Sequence, residues 1–489
     1  MRPLINELET AATADSLAQS LAGGPQRGLV YLRGGGDFSQ ARYSLVTADP
    51  FMVFRSFGSR CEIARIKAGT RGSLWHAQFG NPWQVLDALM SRCELLDEPD
   101  MPFPLGGCFG FWGYDLKNFT EPKLPRRALN DLELPDCHVG FYDSVVIFDH
   151  QLGKAFIVST GMDADGSRSE KRAEEKFKFW NEALEPDRSP ESKMHRPPPE
   201  VPVSSNFTRQ EFVGAVKRAQ EFIRAGDIYQ VNLSQRLTAG HAMSGWNLFC
   251  ELSGLSPAPF AAYLDCGNFE IASSSPEQFL RLSGAHIVTR PIKGTRPRDA
   301  DPTRDAQLSY ELQTSAKELA ELIMITDLLR NDLGRVCEFG SVRAPELARL
   351  ERFSHVQHLV STVEGRLRPG ITHFAAVASC FPGGSITGAP KFRAMEIIDE
   401  LEPATRGPYC GCHGYLGFNR ESQLSITIRT AICARDALHF NAGAGIVADS
   451  DPESEYEETL AKAAGFFAAL KSGGRPEKAA RSNRTLLDA

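Results

Sequence analysis

Between Glu182 and Asn206 the chain carries Pro197-Pro-Pro-Glu-Val-Pro-Val-Ser-Ser205 inside a run of serines and charges. Proline locks φ and lacks a backbone donor, so this segment suits neither a helix interior nor a central strand. It reads as a linker over residues 186–205 and divides the chain. A β-rich first part covers 1–185 and a second part covers 206–473, each long enough for a domain. The remaining residues, 474–489, hold little that could be buried and read as a frayed tail.

With 42% hydrophobic and 24% charged residues, the chain is expected to be soluble and globular. A formal net charge of −7 argues against a nucleic-acid binder. No apolar run nears the roughly 20 residues a membrane span needs, and the N-terminus lacks the apolar stretch of a secretory signal. Eleven scattered cysteines, an odd number, fit the reduced thiols of a cytoplasmic protein rather than a disulfide framework. Cys410-Gly-Cys412-His413 has no second pair at zinc-ligand spacing. Gly106-Gly-Cys108-Phe-Gly110 has the spacing of a cysteine nucleophile elbow. The proline-rich Glu98–Pro104 before it is no strand, however, and no His-x-Glu partner follows.

In the first part, apolar runs such as Gly28–Leu32, Phe51–Phe54 and Ser144–Phe148 alternate with Gly and Pro turns, the pattern of antiparallel strands. The second part opens on a capping box, Thr208-Arg-Gln-Glu211, and a helix ending near Gly226. Ile228–Gln235 follows with period-two alternation: Tyr229, Val231 and Leu233 one way, Gln230, Asn232 and Ser234 the other. That polar stripe fits either a solvent-facing edge or a pocket wall. One long helix is expected over about 305–331, with Glu318 and Glu321 on one face and Lys317 four residues before Glu321. A last helix, from Asp451-Pro452 to about Lys471, aligns Glu455, Glu458 and Lys462. Carboxylates on two separate helices are what an oxygen-liganded Mg²⁺ requires, and solvated helix faces carry the same spacings.

Val288-Thr-Arg-Pro-Ile-Lys-Gly-Thr-Arg-Pro-Arg298 sets Lys293 among Arg290, Arg296 and Arg298. Neighbouring cations disfavour a further positive charge, so the lysine pKa is expected to fall and its amine to become nucleophilic. Pro382–Lys391 resembles a phosphate-binding loop in its glycines, but Ala-Pro-Lys replaces the Lys-Ser/Thr that should follow Gly388. A glycine-rich turn entering a helix is still expected to receive an anion, such as a carboxylate. Leu424–Cys433 reads as one strand with Ser425, Thr427 and Arg429 on its polar face, and Asn441–Val447 as another whose Gly443 and Gly445 allow close approach of a ligand.

Taken in order, several segments resemble the chorismate-binding enzyme family. They are Asp227–Gln235, Ser275-Pro-Glu277, Pro291–Arg298, Ala320–Asp332, His355-Val-Gln-His358, Pro382–Lys391, Ile428-Arg-Thr430, Gly443-Ala-Gly445 and Ser454–Glu458. The resemblance runs unbroken over about 206–470, and Pro104–Leu116 is similar to the family's amino-transferring branch. It implies an α/β (α+β) fold of layered, mostly antiparallel sheets flanked by helices. Members that add water to chorismate carry a general-base lysine where this chain has Gln230, and an amide cannot deprotonate water. Members that form anthranilate carry alanine where this chain has Lys293. The resemblance therefore implies amination at C4. Around Tyr31–Ser44 the Leu-Leu-Glu-Ser motif of tryptophan-inhibited members is missing.

By position, the resemblance implies that Glu321 and Glu458 hold Mg²⁺, with Glu318 and Glu455 nearby, and that the metal holds the ring carboxylate of chorismate. Glu277 would be the general acid for the departing C4 hydroxyl and Lys293 the nucleophile at C2, with ammonia adding at C4. His358 would stand beside the ring. Gln230, Thr387, Gly388, Tyr415, Arg429, Gly443, Gly445 and Lys462 would line the substrate. Ammonia would come from a separate glutaminase subunit.

Overall fold

A computed structural model describes residues 2–35, 38, 40–66, 74–98, 100–185, 201–240, 243–353 and 356–472. Most of the expected linker and the whole of the expected tail lie outside the described residues.

Strand-forming runs assemble into two 12-stranded sheets whose pairings between successive strands are antiparallel. One sheet runs from Leu4–Leu8 at one edge, through Tyr43–Thr47, Val30–Arg33, Phe260–Asp265, Phe269–Ser275, Thr430–Ala434 and Ala437–Ile446, to Gln230–Gly240 and Val203–Ser205. The other runs from Ile292–Pro297 and Val356–Arg366, through Gln278–Ser283, Glu421–Ile426 and Cys412–Gly417, to Gly107–Trp112, Cys137–Tyr142 and Met52–Phe57. Between the sheets lies a core in which Phe54, Trp112 and Phe141 pack with Phe279, Leu424 and Ile432.

The apolar runs of the first part do form strands, but they do not close on themselves. Val30–Arg33 pairs with Phe260–Asp265, and Gly107–Trp112 pairs with Cys412–Gly417. Strands from both sides of the proline-rich segment thus share both sheets, and the boundary read from the sequence falls within one continuous core. The end of that segment, Val203–Ser205, is itself a short edge strand, the position where proline-rich neighbours are tolerated. No helix among the described residues is long and apolar enough to cross a membrane.

Three expected elements are divided. The helix read over 305–331 is two, Pro302–Thr314 and Ala316–Gly334; Ser315 takes an extended conformation and its side chain accepts from the Glu318 N–H, capping the second. The last helix breaks at Ala463 into Pro452–Lys462 and Ala464–Ser472. The strand read over 424–433 is two strands in different sheets, Glu421–Ile426 and Thr430–Ala434, with Arg429 at φ 52° between them.

Candidate active site

That last break matters because a second one lies beside it. Phe269–Ser275 belongs to one sheet and Gln278–Ser283 to the other, so the chain also changes sheets at Glu277. The two crossings are tied together. The Ile426 N–H donates to the Glu277 carbonyl at 3.0 Å, the Ser274 N–H donates to the Arg429 carbonyl at 3.0 Å, and the Ser275 hydroxyl reaches the Ile426 carbonyl at 2.6 Å. A carboxylate and a guanidinium are thereby held where the two sheets meet.

Glu277 is 8% exposed. Burial pushes its carboxyl above the ordinary value, and the Ser385 hydroxyl and the Lys293 ammonium partly offset that shift. Lys293, on Ile292–Pro297, lies 3.9 Å from Glu321 on the second capped helix. The cationic crowd expected around this lysine is cancelled: Arg290 pairs with Glu351, Arg296 lies 3.4 Å from Glu318 and Arg298 lies 2.8 Å from Asp305. Lys293 therefore faces an acidic wall, and repulsion from its arginine neighbours does not explain its chemistry.

Glu321 is raised by burial, with Lys293 and Lys317 opposing, and Glu318 and Glu458 adding to the rise. The influence of Glu458 on Glu321 shows that the two acidic helices approach each other here. Glu455 is raised by burial as well, although it accepts from the Ser450 hydroxyl at 2.6 Å. Glu458 pairs with Lys462 at 2.7 Å, and that ammonium also donates to the Gly443 carbonyl at 2.8 Å. Burial lowers Lys462, Glu458 opposes, and Lys293 and Arg429 add to the fall. Arg429 is lowered by burial, against the pull of Tyr409 and Glu458, and donates to the Lys462 carbonyl at 2.5 Å.

His358 sits opposite Thr295 in the neighbouring strand, with its Nδ1 2.9 Å from the Thr295 hydroxyl, and burial lowers its pKa. The polar stripe is buried and is no solvent-facing edge: Gln230 is 3% exposed, and its Nε2 has no partner among the described residues, nor has Asn232 Oδ1. Tyr229, expected on the apolar face, precedes the strand and is exposed. Gly443 keeps room for the stripe, since a methyl there would lie 2.6 Å from Asn232 Oδ1 and 2.8 Å from the Tyr409 hydroxyl. At Gly388, φ 144°, a side chain would strike the Gln230 carbonyl across a two-residue strand pairing.

One expectation is corrected here. Tyr415 is not among the carboxylate-gripping groups: it stacks on Phe109 at 5.4 Å and faces Tyr43, Arg281 and Glu421. Its place at Arg429 is taken by Tyr409, which the sequence reading missed because nothing in an isolated Pro-Tyr-Cys sequence marks it. In the loop at 382–391 the Lys391 and Thr387 side chains are occupied within the protein. That ammonium lies 2.5 Å from Asp332 and donates to the Cys380 and Pro382 carbonyls, while the Thr387 hydroxyl lies 3.1 Å from the Gly383 carbonyl of its own turn. What the loop offers the site is Ser385, beside Glu277.

Among the described residues no three His, Cys, Asp or Glu side chains already converge tightly enough to enclose an ion. Glu318, Glu321, Glu455 and Glu458 nevertheless present only oxygen donors, and Glu321 and Glu455 are both held above the ordinary carboxylate range. That donor set suits a hard divalent cation such as Mg²⁺. Together the groups form a cluster of an acidic pair of helices, two ammoniums, a guanidinium and one protonatable buried acid, of the composition needed to receive a small polyanion and protonate a leaving group on it.

Residues 47–468 match the family model described as chorismate binding enzyme, and the chain belongs to that family of enzymes. It is 43% identical to the anthranilate synthase component 1 of Thermus thermophilus, over 79% of this chain and 82% of that one. It is 39% identical to the aminodeoxychorismate synthase component 1 of Escherichia coli, over 87% and 89%. In structure it is similar to anthranilate synthase component I of Streptococcus pneumoniae, with a TM-score of 0.75 at 30% identity, covering 89% of this chain and 94% of that one.

Proposed function

We propose that this chain is the large subunit of an aminodeoxychorismate synthase, converting chorismate and ammonia into 4-amino-4-deoxychorismate for the p-aminobenzoate branch of folate synthesis. One observation carries the choice: Lys293 stands 3.9 Å from Glu321, in the pocket that also holds Glu277. An amine so placed can reach the ring, and it becomes a nucleophile once it has lost its proton to solvent. Its neutral form bonds to C2, the ring double bonds shift, and the C4–O bond breaks as Glu277 gives its proton to the departing hydroxyl, which leaves as water. Ammonia then bonds to C4, the double bonds shift back, and the C2–N bond to Lys293 breaks. Gln230 has no basic nitrogen with which to activate water, which favours an amine over hydration.

Mg²⁺, held by Glu321 and Glu458 with Glu318 and Glu455 nearby, would supply the charge that binds the ring carboxylate. Arg429, Lys462 and Tyr409 would hold the second carboxylate, since a dianion needs paired cations to enter a buried acidic pocket. The relatives named component 1 support a second component, and we assign it the role of a glutaminase delivering ammonia.

Forming anthranilate is the second reading, favoured by the relative at 43% identity that carries that name. Purified chain, chorismate, Mg²⁺ and ammonium separate the two. Our reading expects p-aminobenzoate only after addition of an aminodeoxychorismate lyase, and slower C4 amination by Lys293→Ala. Fluorescent anthranilate formed by the wild-type chain without lyase would overturn it.

A further inference from the structure

Behind the pocket lies an ion pair that the proposed chemistry does not use. Arg406 is 3% exposed and Glu402 is 6% exposed, and they meet through two contacts, Nε to Oε2 at 2.9 Å and Nη2 to Oε1 at 2.7 Å. Each partner also reaches beyond the pair. Arg406 donates to the Asn232 carbonyl at 2.7 Å and to the Ile386 carbonyl at 3.1 Å. Glu402 accepts from the Ser234 N–H at 2.8 Å and from its hydroxyl at 2.9 Å. The guanidinium lies 4.8 Å from the Tyr114 ring and 5.8 Å from the Tyr409 ring.

These contacts join three pieces of the site that are remote in sequence. Asn232 and Ser234 belong to the polar stripe, and the Asn232 N–H donates in turn to the Thr387 carbonyl at 2.9 Å. Ile386 belongs to the loop that brings Ser385 to Glu277. Tyr409 stands at Gly443 and Arg429. A buried pair of charges is costly unless its remaining donors and acceptors are used, and here four further groups bond to it. An apolar pair of equal volume would fill the same space without holding any carbonyl in place.

We infer that Arg406 and Glu402 are positioning residues, which fix the stripe, the Ser385 loop and Tyr409 in one arrangement for the substrate. The inference rests on the reading that chorismate occupies this pocket. It does not depend on which carbon is aminated.

Arg406→Lys tests it, because lysine keeps the charge but loses the planar fork needed to hold two carbonyls and a carboxylate together. The expected result is a thermal midpoint close to the wild type with kcat/KM for chorismate lowered by about 10- to 100-fold, mainly through KM. Combined with Tyr409→Phe, the loss is expected to be smaller than the product of the two single losses, because both changes remove one arrangement. Glu402→Gln, which keeps the side chain's shape, is run through the same cycle in case Arg406→Lys does not fold. Wild-type kcat/KM in either variant, or losses that simply multiply with Tyr409→Phe, would overturn the inference. Product identity in the same assay reports separately on the C4 reading: anthranilate from the wild type corrects that reading and leaves the coupling to decide this one.

Discussion

Glu277 owes its chemistry to where the chain changes sheets. On a strand face its side chain would point to solvent or to the inter-sheet core; at the crossing it is buried yet opens toward Lys293 and Ser385. In the proposed role of general acid Glu277 must be protonated to act, and burial holds its carboxyl above the ordinary 4.5. Raising the pH through that lifted pKa therefore removes the active form, so kcat is expected to fall on the alkaline side. Glu277→Gln keeps the shape but has no transferable acid proton. It is expected to lower kcat by roughly 10²–10⁴-fold and to flatten this limb of the pH profile; a loss below about threefold would remove the residue from the chemistry. The motif Ser275-Pro-Glu277 made the residue legible in the sequence, but its environment was not. Lys293 shows the converse: the sequence singled it out by its arginine neighbours, and folding gave each of those its own carboxylate.

At the scale of elements, the sequence showed which segments are regular and hid where they stop. Capping signals with a local cause survived folding, as at Thr208 and Glu211, where both reciprocal bonds form. Breaks imposed by tertiary packing did not announce themselves. Apolar spacing continues through Ser315 and through Thr427–Arg429, so a periodicity argument extends one helix and one strand across them. The site depends on both breaks. Restarting at Ser315 puts Glu318 in the first turn of the new helix and Glu321 on its pocket side, and leaving the strand at Arg429 puts a guanidinium between sheets. The Ser315 cap is testable: Ser315→Ala removes the acceptor for the Glu318 N–H and is expected to cost about 1 kcal/mol, read by denaturant unfolding. Ser315→Asp, which can cap equally well, is expected to restore most of it. Equal stability of the alanine variant would mean that packing, not the cap, starts the helix.

At the scale of the molecule, the proline-rich segment is a true punctuation of composition and a poor guide to autonomy. Composition reports what a segment can form locally, whereas partner choice among strands is settled by edges hundreds of residues apart. A chain ending at 185 would leave Val30–Arg33 without Phe260–Asp265 and Gly107–Trp112 without Cys412–Gly417. Each would present a row of unpaired backbone groups beside an uncovered apolar face, a combination that invites aggregation. It would also lose the packing of Phe54, Trp112 and Phe141 against Phe279 and Leu424. Residues 1–185 expressed alone are accordingly expected to aggregate, or to show no sharp thermal transition. Residues 201–472 alone are expected to fare likewise, because their strands lack the same partners. Co-expressed, the two pieces are expected to recover one cooperative transition and turnover of chorismate, since every strand again finds its neighbour. A soluble 1–185 fragment that melts cooperatively by itself would show that the shared sheets form by docking of two finished domains, and the pocket would then be a product of that docking and not of a single folding core.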